Sequence, residues 1–174
     1  MPYFTLAEAI GELNMISQIE LKRILNYDAN TGIFTRLIAN RHLKIGSVPG
    51  YKNKLGYVVI KIMGDRYLSH RLAWIYVYGV IPNKFIDHIN GNPSDNRIVN
   101  LREASHAQNM QNQLKPQKNN SSGYLGVYLQ KNSNKYRADI KLNGKTIHLG
   151  VFDTAELASK AYLEKKSKIH QFTA

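Results

Sequence analysis

Between Phe85 and Leu101 the chain reads Phe-Ile-Asp-His-Ile, then Asn90-Gly91-Asn92-Pro93-Ser94-Asp95-Asn96, then Arg97 onward. Such a run of turn formers can only be a tight loop: Asn and Asp side chains bond their own backbone, Gly supplies positive φ and Pro removes a donor. A short β segment over Phe85–Ile89 must therefore end in this loop, with regular structure returning at Leu101 and a helix predicted over Glu103–Gln113. On that helix Arg102, His106, Asn109 and Gln113 would lie roughly along one face. Strand alternation sends Asp87 and His88 to opposite sides. The stretch is thus a hairpin plus a helix, and it gathers a carboxylate, imidazoles and amides in one small place.

That donor set has a chemistry. A hard oxygen from Asp87 with an amide oxygen such as that of Asn109 suits Mg²⁺ or Mn²⁺, which keeps several waters and binds a substrate phosphate. A neutral His88 beside it can take a proton from water, because an unperturbed imidazole has a pKa of about 6.5. Metal plus base is the minimum for phosphodiester hydrolysis. The bland alternative is a satisfied histidine at a loop entrance beside turn-making asparagines, and composition alone leaves both open.

With 174 residues, 43% of them apolar, the chain can bury one ordinary core or two small ones, and two are expected. The formal charge of +12 calls for an acidic partner. Nucleic acid fits best, since no single helix is both basic and strongly apolar. The absence of cysteine excludes a disulfide framework and thiolate zinc sites, and fits a reducing compartment. No apolar run approaches the roughly 18 residues that span a bilayer, and the N-terminus lacks a signal pattern. A cytoplasmic protein with no membrane partner is expected.

Met1–Asn14 reads as an accessory lead. Ser17 with Glu20 then looks like a helix cap, followed by apolar Ile19, Leu21, Ile24 and Leu25. Asp28–Gly32 is a turn and Ile33–Leu37 a strand. From Ile45 to Arg71 the pattern is glycine-punctuated strand, with a hairpin turning at Met63–Arg66 that delivers His70-Arg71 to a short apolar helix, Leu72–Tyr78, stopped by Gly79. Leu114–Ser122 is polar, contains proline and has no apolar period, so it reads as a linker. Beyond it come strands over 126–130, 135–141 and 145–152, with Asn143-Gly144 as a hairpin signal, and a helix from an Asp153 cap to about His170. Leu157, Ala158, Ala161, Tyr162 and Ile169 are expected to cover the sheet. The fold class is α+β.

His70-Arg71-Leu72-Ala73-Trp74, Asp87-His88-Ile89-Asn90-Gly91-Asn92, Asp95-Asn96-Arg97, Asn100-Leu101-Arg102 and Asn109 with Asn112 resemble, in order and spacing, the HNH endonucleases of the phage and homing type. The resemblance covers about Ser17 to Asn112. It implies a ββα-metal module in which His88 is the general base, Asn100 holds the loop that presents it, and Asp87 and Asn109 bind one Mg²⁺ or Mn²⁺ per site. Asn109 stands where the family name has its last His; His106 and Asn112, one turn to either side, remain alternatives. His70 and Arg71 take a structural or phosphate-contacting role, and Arg102 is counted with the DNA contacts. One such site per chain implies one strand cut per event.

The Gly126-Val127, Gly144-Lys145 and Leu149-Gly-Val-Phe-Asp-Thr-Ala-Glu156 segments resemble the APETALA-type DNA-binding domain, over about Ser122 to Phe172. That resemblance implies a three-stranded antiparallel sheet lying in the major groove and backed by one helix. Tyr128, Gln130, Arg137, Lys141, Thr146 and His148 are its candidate contacts, with Lys145 among the phosphate grips. The family often has Arg or Trp where this chain has Leu125, Tyr128 and His148, so its target sequence does not carry over. Between Lys115 and His148 there are seven Lys or Arg against the single Asp139, which agrees with a DNA-facing surface. The expected organisation is a nuclease module over 1–113 (1–16 accessory), a linker over 114–122 and a DNA-binding module over 123–174. Such a protein acts on double-stranded DNA as a monomer, with no protein partner, in the host cytoplasm if phage-encoded.

Overall fold

Ser17 opens the first helix as the sequence predicts: its hydroxyl accepts from the Glu20 amide and Glu20 reaches back to the Ser17 amide, which satisfies two donors that a helix start leaves bare. A computed structural model describes residues 16–39, 42–113, 116 and 119–170. The lead over Met1–Asn14 lies outside the described residues, as do Leu114, Lys115, Gln117 and Lys118 of the expected linker. The elements are α1 (Gln18–Ile24), β1 (Leu25–Asp28), β2 (Ile33–Arg36), β3 (Tyr51–Lys52), β4 (Val58–Ile62), β5 (Asp65–Leu68), α2 (Ser69–Tyr78), β6 (Phe85–His88), a 3₁₀ turn (Ile98–Asn100), β7 (Leu101–Ala104), α3 (His106–Gln111), β8 (Val127–Leu129), β9 (Tyr136–Leu142), β10 (Lys145–Phe152) and α4 (Ala155–Ile169). The fold is α+β with several small sheets, β1-β2, β3-β4-β5, β6-β7 and β8-β9-β10. No helix among the described residues is long and apolar enough to cross a membrane.

Two compact units emerge, one of Met1–His88 with Asn92–Arg102, the other of Ile89–Gly91 with Glu103–Ala174. The first is built around Leu21, Leu25, Phe34, Ile60, Leu72 and Ile75, whose side chains are almost wholly removed from water. Burying such a side chain contributes about 1.5–3 kcal/mol. Helix α1 ends earlier than apolar spacing suggests, because Leu25 and Tyr27 alternate inward as β1 and pair with β2. Helix α2 buries Leu72, Ala73 and Ile75, and closes on Gly79 in the left-handed conformation at φ 73. Trp74 is only half-buried, its ring 4.4 Å from that of Tyr78. It is a packing element.

The expected helix over Glu103–Gln113 is shorter. Leu101–Ala104 form β7 with Leu101 and Ala104 buried, and Ser105 then caps α3 with Gln108 completing a second capping box. Pairing with β6 holds Leu101–Ala104 extended, and the Ser-x-x-Gln box fixes where the helix can start. Arg102 is consequently a strand residue and does not share a helix face with Asn109.

In the second unit β9 lies between β8 and β10, with Val127, Ala138 and Ile140 facing inward. Small Ala138 and Ala158, both fully buried, let α4 approach closely. Gly126, at φ +66, is required: a Cβ there would run into the Tyr162 ring and the Asp139 carbonyl. Two expectations are corrected. Thr154, not Asp153, caps α4, its hydroxyl accepting from the Leu157 amide, while Asp153 pairs with Lys135 at 3.0 Å. Leu157 is 51% exposed, and Ala155, Ala158, Ser159 and Lys166 are the buried positions, a face at helical spacing from which Leu157, two residues after Ala155, points away. Lys166 reaches the Gln113 carbonyl at 2.8 Å.

Candidate active site and nucleic-acid interface

Strand β6 places Asp87 and His88 at its end, 7% and 5% exposed. The loop that follows is tied down by its own polar groups. Asn92 accepts from the Ser94 amide, the Ser94 hydroxyl donates to the Gly56 carbonyl, and Asp95 takes a forked ion pair from Arg97 at 2.6 Å. Asn100, buried, donates its amide to the Asp95 carbonyl at 2.8 Å. From the core, the Tyr27 hydroxyl donates to the Asn96 carbonyl at 2.7 Å. Gly32, at φ +72, lets its backbone lie against that of Asn96 and Arg97, where a Cβ would collide.

His88 is bonded by Asn96, a residue that sequence reasoning read only as a turn former. The separation is 3.2 Å between Nε2 and Oδ1. Because the Asn96 amide nitrogen donates to the Ser94 carbonyl, its oxygen faces the imidazole, so Nε2 carries the proton and Nδ1 is the basic nitrogen. Burial pushes the His88 pKa below the usual imidazole value, partly opposed by the Asn96 bond and the charges of Asp87 and Asp95. The ring is therefore neutral at neutral pH. His70 is 6% exposed, its ring 5.0 Å from that of His88 and 5.4 Å from that of Tyr57. Burial, with repulsion from His88 and Arg71, lowers its pKa to about 3. His70 brings no positive charge.

Asp87 accepts from Arg102, with Nε 3.1 Å and Nη2 3.0 Å from the same carboxylate oxygen. A carboxylate has lone pairs beyond those two bonds. A hard carboxylate oxygen near a neutral imidazole is a donor chemistry that fits Mg²⁺ or Mn²⁺ and not a thiolate-type metal. Among the described residues no three His, Cys, Asp or Glu side chains form a metal-binding group. An ion bound here would draw the rest of its shell from amides, waters and substrate oxygens.

His70, Arg71, Asp87, His88, Asn100 and Arg102 all belong to the first unit. His106 and Asn109 are exposed on α3, in the second unit. Asn112, buried behind that helix, donates to the Ile89 carbonyl at 3.3 Å.

On the sheet of the second unit, Tyr128, Arg137, Lys141, Lys145, Thr146 and His148 are exposed. Register sets Tyr128 opposite Arg137, Lys141 opposite Thr146 and Asp139 opposite His148. Gln130 is half-buried and accepts from the Ser133 hydroxyl within its turn. A bulge between His148 and Gly150 absorbs Leu149 and keeps His148 aligned with Asp139. Asp139 then takes bonds from Arg137 and from His148. Strand alternation puts Asp139 on the same face as Arg137 and Lys141, but its bonds to Arg137 and His148 were not legible in the sequence.

Comparison with known proteins bears on the same stretch. The HNH endonuclease family matches residues 67–111, from β5 through α3. The chain is 32% identical over 104 residues to "Protein 3.8" of Escherichia phage T7, a match covering 59% of this chain and 85% of that protein. It is 33% identical over 113 residues to an uncharacterized HNH endonuclease of Acanthamoeba polyphaga mimivirus, covering 64% of this chain and 57% of the relative. No solved structure matches the chain significantly. The chain belongs to the family of the phage protein 3.8, and carries an HNH endonuclease domain over residues 67–111.

Proposed function

We propose that the protein is a metal-dependent DNA endonuclease of the homing type that nicks duplex DNA at preferred sites. In this reading residues 1–113 are a ββα-metal nuclease module, 114–122 a linker and 123–174 an APETALA-type DNA-binding module. The observation that carries it is the buried pair at the end of β6, a neutral His88 whose tautomer is set by Asn96 beside an Asp87 carboxylate, within an HNH endonuclease domain.

His88 takes a proton from water at Nδ1 as the water attacks phosphorus. Asn96 holds the ring by Nε2–H, and Asn100 steadies the loop through the Asp95 carbonyl. Asp87 and Asn109, with His106 or Asn112 as alternatives to the latter, would hold the cation. A bound Mg²⁺ or Mn²⁺ would supply charge stabilisation at the phosphate and the leaving oxygen. Arg71 and Arg102 contact phosphates, and His70 takes the structural part by packing on His88. Tyr128, Gln130, Arg137, Lys141, Lys145 and His148 form the duplex-binding face. The protein acts as a monomer.

A supercoiled-plasmid assay with metal omitted and restored tests the reading. Nicking should appear only with the cation, and His88→Ala should retain duplex affinity while losing on the order of 10²–10⁴ in rate. Equal loss of binding and cutting would contradict the role of His88. A non-catalytic DNA-binding regulator is the second reading, favoured by the ion pair that Arg102 makes with Asp87. Tight duplex binding with plasmid left intact in Mg²⁺ and in Mn²⁺ would establish it.

A further inference from the structure

Asp139 is out of place on a surface whose task is to grip phosphate. It is the single acid among the basic residues of this segment, and its side chain is 15% exposed between those of Arg137 and His148, 44% and 47% exposed. A carboxylate here repels the DNA backbone. Arg137 directs Nε at both carboxylate oxygens, 2.9 and 2.8 Å away, and His148 Nδ1 lies 2.8 Å from one of them. Although partial burial raises the Asp139 pKa, bonds from His148 and Arg137 more than reverse this and keep the group below the usual carboxylate range. It remains charged, and so remains a strong acceptor.

A guanidinium has five N–H donors in a rigid plane. With Nε taken, the ends that can address a ligand are the two terminal amino groups. Guanine alone among the bases offers two adjacent acceptors, N7 and O6, on its major-groove edge; adenine pairs an acceptor with a donor there. An unrestrained arginine swings to whichever phosphate is near and carries no sequence information. One held at Nε by a neighbouring strand position loses that freedom.

We propose that Asp139 is a positioning residue that fixes Arg137 end-on, so that Arg137 reads a guanine in the major groove and Asp139 sets the strength of that preference. The proposal rests on the reading that this sheet face binds duplex DNA, and adds to it the base class and the residue that enforces it.

The test is selection from a randomised duplex pool by the full-length protein in chelator, so that bound DNA stays uncut. The wild type should enrich sites sharing one guanine. Asp139→Asn, which keeps shape but removes charge, should lower discrimination between that site and its adenine counterpart about tenfold, with affinity for unselected duplex equal or higher. Arg137→Lys, at an exposed position where folding is not at stake, should lose the same discrimination. The proposal is overturned if Asp139→Asn tightens binding to all duplexes alike and leaves discrimination intact, or if the wild type enriches no guanine. Failure of the underlying reading looks different: duplex affinity would then survive Lys141→Ala combined with Lys145→Ala undiminished.

Discussion

Burial of His70 makes the stability of the first unit depend on pH in a definite direction. Its pKa falls from 6.5 to about 3 on folding, so below pH 6.5 the unfolded chain binds a proton that the folded chain refuses. The stabilisation of the neutral folded form is complete above the unfolded value and is lost as pH drops, by roughly 1.4 kcal/mol per pH unit until the folded value is reached. Urea titrations at about pH 7 and about pH 5 should show that drop, and His70→Gln should flatten it. At the same scale, Asn96 bonds the His88 ring. Asn96→Ala removes the acceptor at Nε2, so kcat should fall on the order of 10²-fold with KM little changed. Steady-state nicking kinetics check this split, and a change in KM alone would count against it. The Asp87-His88 pair at the end of a strand was legible from the short apolar run before it and the loop beyond it. The bond of His88 to Asn96 was not, because seven residues lie between the two and any of several amides in the loop could have met the ring.

At the scale of elements, the loop after β6 owes its position to a distant turn. Gly32 lies between β1 and β2, and its missing Cβ is what admits the Asn96–Arg97 backbone. Gly32→Ala should destabilise the protein by about 1–3 kcal/mol and impair nicking, since both strained φ and collision apply. Gly46→Ala is the control. Its φ of +77 is equally left-handed but nothing lies within 4 Å, so it should cost less stability and leave nicking intact. Thermal melts and plasmid assays on the two variants separate conformational strain from displacement of the loop. The turn at Asp28–Gly32 and strand β2 were readable from the sequence, and the Asn143-Gly144 turn from its type, but β1 reads there as the end of the helix before it. The strand β7 was not readable, because Leu101 and Ala104, three apart, read as a helical face, and only pairing with β6 makes the segment extended.

For the whole molecule, a formal charge of +12 makes duplex affinity steeply salt-dependent. If Lys141 and Lys145 each neutralise a phosphate, replacing both with Ala should reduce the slope of log affinity against log salt by about 0.9 per site, with kcat at saturating DNA unchanged. Affinity titrations over a salt series check this; an unchanged slope would remove those lysines from the interface. The amino-acid sequence by itself determined what is local or compositional: a basic partner-seeking chain, the caps at Ser17 and Gly79, the hairpin turns, and the Asp-His pair at the mouth of a loop. Only tertiary structure decided what depends on groups far apart in the chain. Tyr27 and Gly32 seat a loop more than sixty residues away, His70 is stripped of its charge by burial against His88, and Asp139 is set between Arg137 and His148 by strand register. The division is physical. Turn and cap preferences are settled by a few neighbouring dihedrals, whereas burial, pairing and the pKa shifts they cause exist only once distant segments have met.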